Sequence, residues 1–189
     1  MTPFTTLSGP IALLDRANVD TDQIIPARFL RKPRSAGYGN FLFHDLRTRE
    51  NAFPVQQNAA PIVVAGDNFG CGSSREGAVY ALVDAGIRCV IAPGFGDIFA
   101  SNAAKNGLLT ITLPDAPALL GHAPTLAIDL PAQTITLPDG TAIAFQIDAF
   151  RKTCLVQGLD DIGLTLVHAE ALATHAATLP AWAVPAANP

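Results

Sequence analysis

The chain has 189 residues, of which 49% are hydrophobic and 15% are charged, and its formal net charge is −4. This composition supports a substantial apolar core in a single domain spanning 1–189 and excludes a disordered chain. Without a basic stripe, it gives no sign of a nucleic-acid partner. No stretch reaches the ~18 apolar residues of a membrane span, and the N-terminus lacks a signal-peptide pattern.

The three cysteines, Cys71, Cys89 and Cys154, are far apart along the chain. They form no C-x-x-C pair, so their spacing predicts neither a zinc site nor an iron–sulfur site within this chain. The four histidines are scattered as well, and we predict no metal ligand among them. An odd number of unpaired thiols favours a reducing, cytoplasmic location.

The N-terminal part predicts a short strand at 11–14, followed by the turn-rich segment "DRANVDTDQIIP". From 28 to 53, basic, glycine and aromatic residues alternate. We predict an ordered, potentially mobile loop there, with one short helix at 41–48. Long irregular loops of compact domains are often functional.

The central part predicts alternating strands and helices. The strands are expected at 62–66, 87–93 and 108–113, and the helices at 75–86 and 96–107. This order is typical of a parallel sheet with right-handed crossovers. Ligands bind beyond the carboxyl ends of such strands, where the glycine-rich loops 66–74 and 93–97 lie.

The last third changes character. The segments "TLAIDL", "QTITL" and "TAIAFQI" alternate in polarity and predict antiparallel strands, with a turn at 138–140. Helices are expected at 148–158 and 160–179, followed by an extended C-terminal arm at 180–189.

The densest stretch is "GDNFGCGSSREG", residues 66–77. It is not a dinucleotide fingerprint, because Arg75 stands at the position of the third glycine. It contains no Gly-Lys-Ser/Thr, which excludes a Walker loop. Neither Ser73 nor Ser74 fits the G-x-S-x-G frame of a hydrolase nucleophile.

Two interpretations of this stretch remain open. In the first, Ser73 and Glu76 form a capping box at a helix start. In the second, the stretch binds a carboxylate, since Arg75 would stand in the first helical turn, where the macrodipole disfavours a cation. A bidentate contact to a substrate carboxylate would explain Arg75. Backbone amides at the helix start would add anion affinity and could stabilise a deprotonated Ser73 oxygen.

Four motifs in order along the chain carry a resemblance to a known family. They are "NVDTDQIIPARFL" (18–30), "GDNFGCGSSREGA" (66–78), "VIAPGFGDIFASNAAKNGLL" (90–109) and "FRKTCLVQGLDDIGLTL" (150–166). Together they resemble the small subunit of 3-isopropylmalate dehydratase, equivalent to the swivelling domain of aconitase. The resemblance implies an α/β fold, layered β/β/α, with a parallel βαβαβ core, antiparallel strands and C-terminal helices.

The resemblance also implies an activity. Such enzymes are heterodimeric hydro-lyases of leucine biosynthesis that interconvert 2-isopropylmalate and 3-isopropylmalate through isopropylmaleate. Their large subunit holds a [4Fe–4S] cluster that acts as Lewis acid on the departing hydroxyl. The implied partners are therefore a cluster-bearing large subunit and a small dicarboxylate, with no cofactor bound by this chain.

The catalytic roles implied by the resemblance fall on matching residues. Ser73 resembles the base that removes the proton from carbon, and Ser74 and Arg75 resemble its neighbouring carboxylate contacts. Thr21 matches the threonine of a threonine–aspartate pair and is a candidate substrate contact. Asp22 matches the aspartate and is assigned an orienting role, with a turn-forming Asx residue as the equal alternative.

A substrate arginine is expected after the first motif. Arg28 is the candidate by order along the chain, and Arg31 and Arg34 stay open.

One position departs from the family. Where its members usually carry histidine after S-S-R-E, this chain has Gly77. The substitution predicts more space at the helix start and leaves the exact substrate open. The aromatic residues of 34–43, in the family's specificity loop, are candidates for lining an isopropyl pocket, with ordinary loop packing as the alternative. A related hydratase acting on citraconate and 2-methylmalate, or a non-catalytic metabolite-binding module, is the competing function.

Overall fold

The computed structural model describes residues 1–180 and builds them around one seven-stranded sheet. Its strands are β1 (Thr6–Leu14), β2 (Ile62–Ala65), β3 (Cys89–Ala92), β4 (Leu109–Thr112), β5 (Thr125–Asp129), β6 (Thr134–Thr136) and β7 (Ala142–Ala144). Their order across the sheet is β4-β3-β2-β1-β5-β6-β7.

Strand β1 joins a parallel half of the sheet to an antiparallel half. Its residues 11–14 pair in parallel with β2, and β3 and β4 continue that arrangement. Its residues 6–10 pair antiparallel with β5, and β6 and β7 follow in antiparallel order. The predicted combination of a parallel core with antiparallel strands is confirmed.

Short helical turns fill the region between β1 and β2. They comprise the helices α1 (Thr21–Ile24) and α2 (His44–Arg49), with 3-10 turns at Ala27–Arg31, Arg34–Ala36 and Tyr38–Phe41 between them. The predicted short helix near 41–48 is therefore present as α2. The 3-10 turns are not predicted, because the sequence there has no regular apolar period.

The helices α3 (Glu76–Asp84) and α4 (Asp97–Lys105) connect β2 to β3 and β3 to β4. Because side chains alternate across a strand, β2 supplies two cores. Val63 and Ala65 pack on the side of α3 and α4, while Ile62 and Val64 pack on the opposite face. Both β2 and β3 are buried along their whole length, as expected for parallel strands covered on both faces.

Within residues 1–180, four further helices lie after β4. They are α5 (Ala116–Leu120), α6 (Ala149–Gln157), α7 (Asp161–Leu166) and α8 (Ala169–Thr178). The sequence patterns do not predict α5, and the prediction of one helix over 160–179 is wrong. The prediction relied on apolar residues that face solvent, since Ile162 is 71% and Leu166 is 61% exposed. Without a buried apolar face, α7 and α8 are not packed as one continuous helix. The C-terminal arm is predicted at 180–189. Of that arm, only Pro180 belongs to the described residues, and 181–189 lie outside them.

Candidate active site

The active-site loop, residues 66–75, connects β2 to α3 and lines an open cavity of about 330 Å³. Four predicted site residues lie in the lining, namely Thr21, Ser73, Ser74 and Arg75. The cavity lies where β2 ends, as expected for the carboxyl edge of a parallel sheet. A larger cavity of about 460 Å³ lies between α4, β4 and α6, but it contains none of the predicted site residues.

A second loop, after β3, closes one side of the cavity. It contributes Gly96 to the lining, and the first turn of α4, which follows it, contributes Asp97, Ile98 and Phe99. The sequence predicts this loop as a ligand-facing segment but does not single out these side chains. The available signal was their position: β2 and β3 are parallel neighbours, so their following loops meet at one edge.

Glycines permit the close approach of the two loops. Gly70 has a φ of +74°, and a Cβ atom there would lie 2.2 Å from the ring of Phe99. A Cβ atom at Gly96 would lie 2.6 Å from the carbonyl oxygen of Gly70. No larger residue fits either position without moving the Phe99 ring or the backbone of the facing loop.

Hydrogen bonds tie the active-site loop to the segment 18–21. The Asn18 N–H donates to the Asp67 carbonyl at 2.8 Å, and the Thr21 N–H donates to the Cys71 carbonyl at 3.1 Å. The Thr21 hydroxyl donates to the Ser73 carbonyl at 2.8 Å. Two of the predicted motifs, 50 residues apart in sequence, are thus joined by backbone contacts.

The helix start does not form the capping box proposed from sequence. Helix α3 begins at Glu76, its N-cap is Arg75, and no side chain caps it. Ser73 is still in the loop because its carbonyl is held by Thr21, which overrides the local capping signal. Arg75 therefore precedes the first helical turn rather than standing in it. Within residues 1–180, the N–H groups of Ser74, Arg75 and Glu76 donate to no acceptor.

Arg75 and Asp22 form an ion pair beside the cavity. Nη1 of Arg75 donates to Oδ1 of Asp22, and the same oxygen accepts the Ala27 N–H at 3.2 Å. The Arg75 side chain is 24% exposed and that of Asp22 is 50% exposed. Asp22 thus holds one side of the guanidinium, consistent with the orienting role, while its bond to Ala27 also matches the turn-forming alternative.

Arg28 is not brought to the cavity. Its guanidinium binds Asp45 and lies 4.6 Å from the centroid of the Phe29 ring. The hydrogen bond from Arg28 holds the pKa of the Asp45 carboxyl well below its ordinary range. Arg31 is exposed, and Arg34 binds Asp84 through Nε at 3.1 Å.

The segment 34–43 packs into the protein instead of lining the cavity. Tyr38 and Phe43 are buried, and Phe41 stacks on Phe29 with ring centroids 4.3 Å apart. Ordinary packing is thus what the structure shows for these aromatic residues. The space predicted at Gly77 is occupied, since a Cβ atom there would lie 2.5 Å from Cδ2 of Leu30.

Comparisons with known proteins identify the family. The family model for the aconitase C-terminal domain matches residues 1–116, and the family model LeuD_N matches residues 123–149. The chain is 49% identical over 190 residues to the 3-isopropylmalate dehydratase small subunit of Xanthobacter autotrophicus, covering 93% of this chain and 94% of that protein. The chain belongs to the family of 3-isopropylmalate dehydratase small subunits.

A second relative and a solved structure support the same family. The 3-isopropylmalate dehydratase small subunit of Rhodospirillum centenum is 50% identical, with 90% of this chain and 91% of that protein covered. A crystal structure of 3-isopropylmalate dehydratase from Methanocaldococcus jannaschii superposes with a TM-score of 0.74 at 28% identity, covering 90% of this chain and 99% of that chain. As a member of this family, the chain is a subunit of a hydro-lyase, and its aconitase-like swivelling-domain fold is confirmed.

The described part of the chain shows three further features. Within residues 1–180, no cluster of three or more His, Cys, Asp or Glu side chains is arranged to hold a metal ion. Cys89 and Cys154 are buried, and burial raises the pKa of both thiols, while Cys71 is half-buried beside the cavity. No helix among these residues is long and apolar enough to cross a membrane.

Proposed function

We propose that this chain is the small subunit of a heterodimeric hydro-lyase that interconverts 2-isopropylmalate and 3-isopropylmalate through isopropylmaleate in leucine biosynthesis. The observation that carries the proposal is the meeting of Ser73, Ser74 and Arg75 in one open cavity, with Asp22 bound to Arg75. Similarity to the 3-isopropylmalate dehydratase small subunits of two bacteria supports the substrate.

Arg75 supplies the charge that binds a substrate carboxylate. Asp22 occupies one Nη of its guanidinium, so the remaining N–H groups can form a two-pronged contact with the substrate. The N–H group of Glu76 lies at the start of α3, where the helix dipole favours a negative charge, and the N–H group of Ser74 lies just before the N-cap Arg75. The Ser74 hydroxyl is exposed in the same lining and can donate to the same carboxylate.

Ser73 acts as the base in this proposal. An unperturbed hydroxyl is a very weak acid, so its alkoxide needs nearby positive charge and hydrogen-bond donors. Arg75 and the unpartnered N–H groups of the loop provide both. The alkoxide takes a proton from the carbon next to the hydroxyl-bearing carbon. The C–H electron pair becomes the C=C bond of isopropylmaleate as the hydroxyl leaves, and rehydration with the two positions exchanged completes the isomerisation.

The departing hydroxyl needs a Lewis acid, and we propose that a large subunit supplies it as a [4Fe–4S] cluster. The cavity fits closure by a second chain, because Ser73 and Ser74 are exposed at its opening. The three cysteines of this chain do not converge on the cavity, since only Cys71 lines it. The role left to this chain is to bind the carboxylates, move the proton and exclude water.

Arg28 is a weaker candidate for substrate binding than Arg75. Its guanidinium is held by Asp45 outside the cavity, so a contact with substrate requires that ion pair to open. Its order along the chain supports the role, and its position in this structure does not.

The decisive experiment is co-expression with a cluster-bearing large subunit of this family, followed by purification under anaerobic conditions. The complex is assayed by isopropylmaleate absorbance with each isopropylmalate isomer, and in parallel with citraconate and 2-methylmalate. We expect co-purification and turnover of the isopropylmalates at the higher kcat/KM. Preference for 2-methylmalate would reassign the substrate, and assembly without turnover of any dicarboxylate would leave a binding module.

A matched control separates chemistry from assembly. Ser101 lies within α4 and does not line the cavity. The Ser101→Ala complex is expected to match the unaltered complex in both yield and rate.

A further inference from the structure

We propose that Thr21 is a positioning residue that aims the Ser73–Ser74 peptide and thereby keeps the base and its stabilising N–H group in register. This inference rests on the proposed function of Ser73. It differs from the substrate contact implied for Thr21 by the sequence resemblance, because it has Thr21 act through Ser73.

The burial of Thr21 sets it apart from the other site residues. Thr21 is only 2% exposed. Among residues 1–180, it is the one buried residue with a polar, non-aromatic side chain. Ser73 and Ser74, by contrast, are exposed. A buried hydroxyl must find a partner inside the protein, and Thr21 finds it in the Ser73 carbonyl at 2.8 Å.

The element that carries Thr21 is itself fixed. Asp20 caps α1 by accepting the Gln23 N–H at 2.7 Å, and Ile24 and Ile25 are fully buried behind it. The Thr21 N–H adds a second bond to the active-site loop, at the Cys71 carbonyl. Thr21 is therefore a rigid point from which the loop can be oriented.

The planarity of the peptide bond converts this contact into control of the site. In a trans peptide, the carbonyl of Ser73 and the N–H of Ser74 point in opposite directions. Holding the carbonyl toward Thr21 directs the Ser74 N–H away from α1, and within residues 1–180 that N–H donates to no protein acceptor. It is thus free to stabilise a negative charge on the serine oxygen or on the substrate.

Steric packing does little of this work. Gly72 precedes Ser73 with a φ of +83°, and a Cβ atom there would meet only Cβ of Asp20, at 3.4 Å. A glycine with open space around it leaves the chain that leads into Ser73 free to rotate. The hydrogen bond from Thr21 is what removes that freedom.

The hydroxyl of Thr21 has one hydrogen, and that hydrogen is already donated to Ser73. A substrate contact through the same hydrogen would break the bond that orients the loop. The geometry therefore favours an action of Thr21 on kcat over an action on substrate affinity.

The test compares Thr21→Val, which keeps the shape and removes the hydroxyl, with Thr21→Ser, which keeps the hydroxyl. Both are made in the heterodimeric complex and assayed per assembled, cluster-loaded heterodimer. We expect Thr21→Val to lower kcat by on the order of 10- to 100-fold with little change in KM, because small misplacements of reacting groups are that costly. The rising limb of its pH–kcat profile should move to higher pH, and Thr21→Ser should restore both readouts.

Thr153 supplies the matched control. Its hydroxyl also donates to a backbone carbonyl, that of Ala149 at 2.9 Å, but on an exposed face of α6. Thr153→Val should leave kcat and the pH profile unchanged. If Thr21→Val does not assemble, Thr21→Ala removes the same hydroxyl and is measured in the same way.

The outcomes separate this inference from the proposed function. Normal kcat and an unshifted pH profile in the Thr21 variant, with an inactive Ser73→Ala complex, would overturn the positioning role alone. A raised KM with unchanged kcat would instead support direct substrate contact by Thr21 and overturn it too. An active Ser73→Ala complex would remove the base assignment on which the inference rests.

Discussion

The active-site loop and the aromatic segment, residues 28–49, are held in place by different forces. The active-site loop is fixed by backbone hydrogen bonds and by the buried Thr21 hydroxyl. The aromatic segment is fixed by buried side chains such as Phe43 and by ring stacking, and exposed ion pairs, such as Arg28 with Asp45, hold its surface. Both regions match the same family, yet only the first lines the cavity.

Because of this difference, the two regions are expected to respond differently when the large subunit binds. Buried hydrogen bonds hold one geometry, because breaking them leaves unsatisfied polar groups. Exposed ion pairs contribute little, about 0–1 kcal/mol, and exchange readily with water or with other charges. We therefore expect the proton-transfer geometry to be present in the isolated subunit, while the exposed surface of the aromatic segment adapts to the large subunit.

The largest expected effect is in the active-site loop. Ser73→Ala should lower kcat of the assembled complex by about 10²- to 10⁴-fold, the usual contribution of a general base. Co-purification yield should stay unchanged, because Ser73 contacts α1 through its carbonyl and not through its side chain. Near-normal turnover would remove Ser73 from the role of base.

Arg75→Lys should have the next largest effect. A lysine keeps the charge but cannot keep the Asp22 contact and a planar two-pronged contact at once. We expect kcat/KM to fall roughly 10- to 100-fold, the loss associated with a charged hydrogen bond. Steady-state kinetics with each isopropylmalate isomer measure it, and unchanged kcat and KM would contradict the carboxylate role.

The sequence predicts the parallel core because that core is coded locally. Runs such as "IVVAG" and "IRCVIAP" are apolar throughout, and each is followed by a glycine-rich loop and a helical period. The candidate site residues Ser73, Ser74 and Arg75 follow from motif resemblance, and all three line one cavity.

What the sequence does not predict depends on contacts between distant segments. Ser73 looks like a helix cap in sequence, but Thr21, 52 positions earlier, holds its carbonyl outside the helix. Arg28 looks like a substrate contact, but Asp45 on α2 binds it. Gly77 looks like open space, but Leu30 fills it. The local sequence around Ser73, Arg28 and Gly77 does not indicate any of these three partners.

Two glycines test how tightly the aromatic segment packs on α3. At Gly39, a Cβ atom would lie 2.6 Å from the backbone carbonyl oxygen of Asp84, so Gly39→Ala must move backbone. We expect a loss of about 1–3 kcal/mol in the free energy of unfolding, typical of overpacking. At Gly77 the obstacle is the movable end of Leu30, and alanine gains about 1 kcal/mol in helix propensity.

Gly77→Ala should therefore change the free energy of unfolding by less than about 1 kcal/mol. Urea unfolding of the isolated subunit measures both variants. Equal destabilisation by the two alanines would show that Leu30 is as firmly held as the helix backbone, contrary to an adaptable aromatic segment.

The smallest effect is expected at Arg28. Arg28 holds the pKa of Asp45 below its ordinary value of 3.8, with a smaller contribution from His44. A lowered folded-state pKa gives stability that is present above about pH 4 and is lost as the pH falls through the folded value. Arg28→Gln should raise the pKa of Asp45 toward 3.8, as followed by NMR titration of the carboxyl.

The same Arg28→Gln variant should lower kcat/KM far less than Arg75→Lys. A loss as large as that of Arg75→Lys would show that Arg28 leaves Asp45 to bind substrate, and would weaken the contrast between the two regions.

The division of β1 between two partners has a consequence for how the chain is made. Residues 11–14 of β1 pair with β2 at 62–65, and its residues 6–10 pair with β5 at 125–129, so neither half can pair until those later segments are made. During synthesis, the first strand to leave the ribosome is thus among the last to be fully paired. Pairings of such long sequence separation form slowly, and an unpaired strand edge promotes aggregation. A chain that stops after β4 would keep the whole active-site loop and still leave half of β1 exposed, so the antiparallel half protects a site to which it contributes no residue.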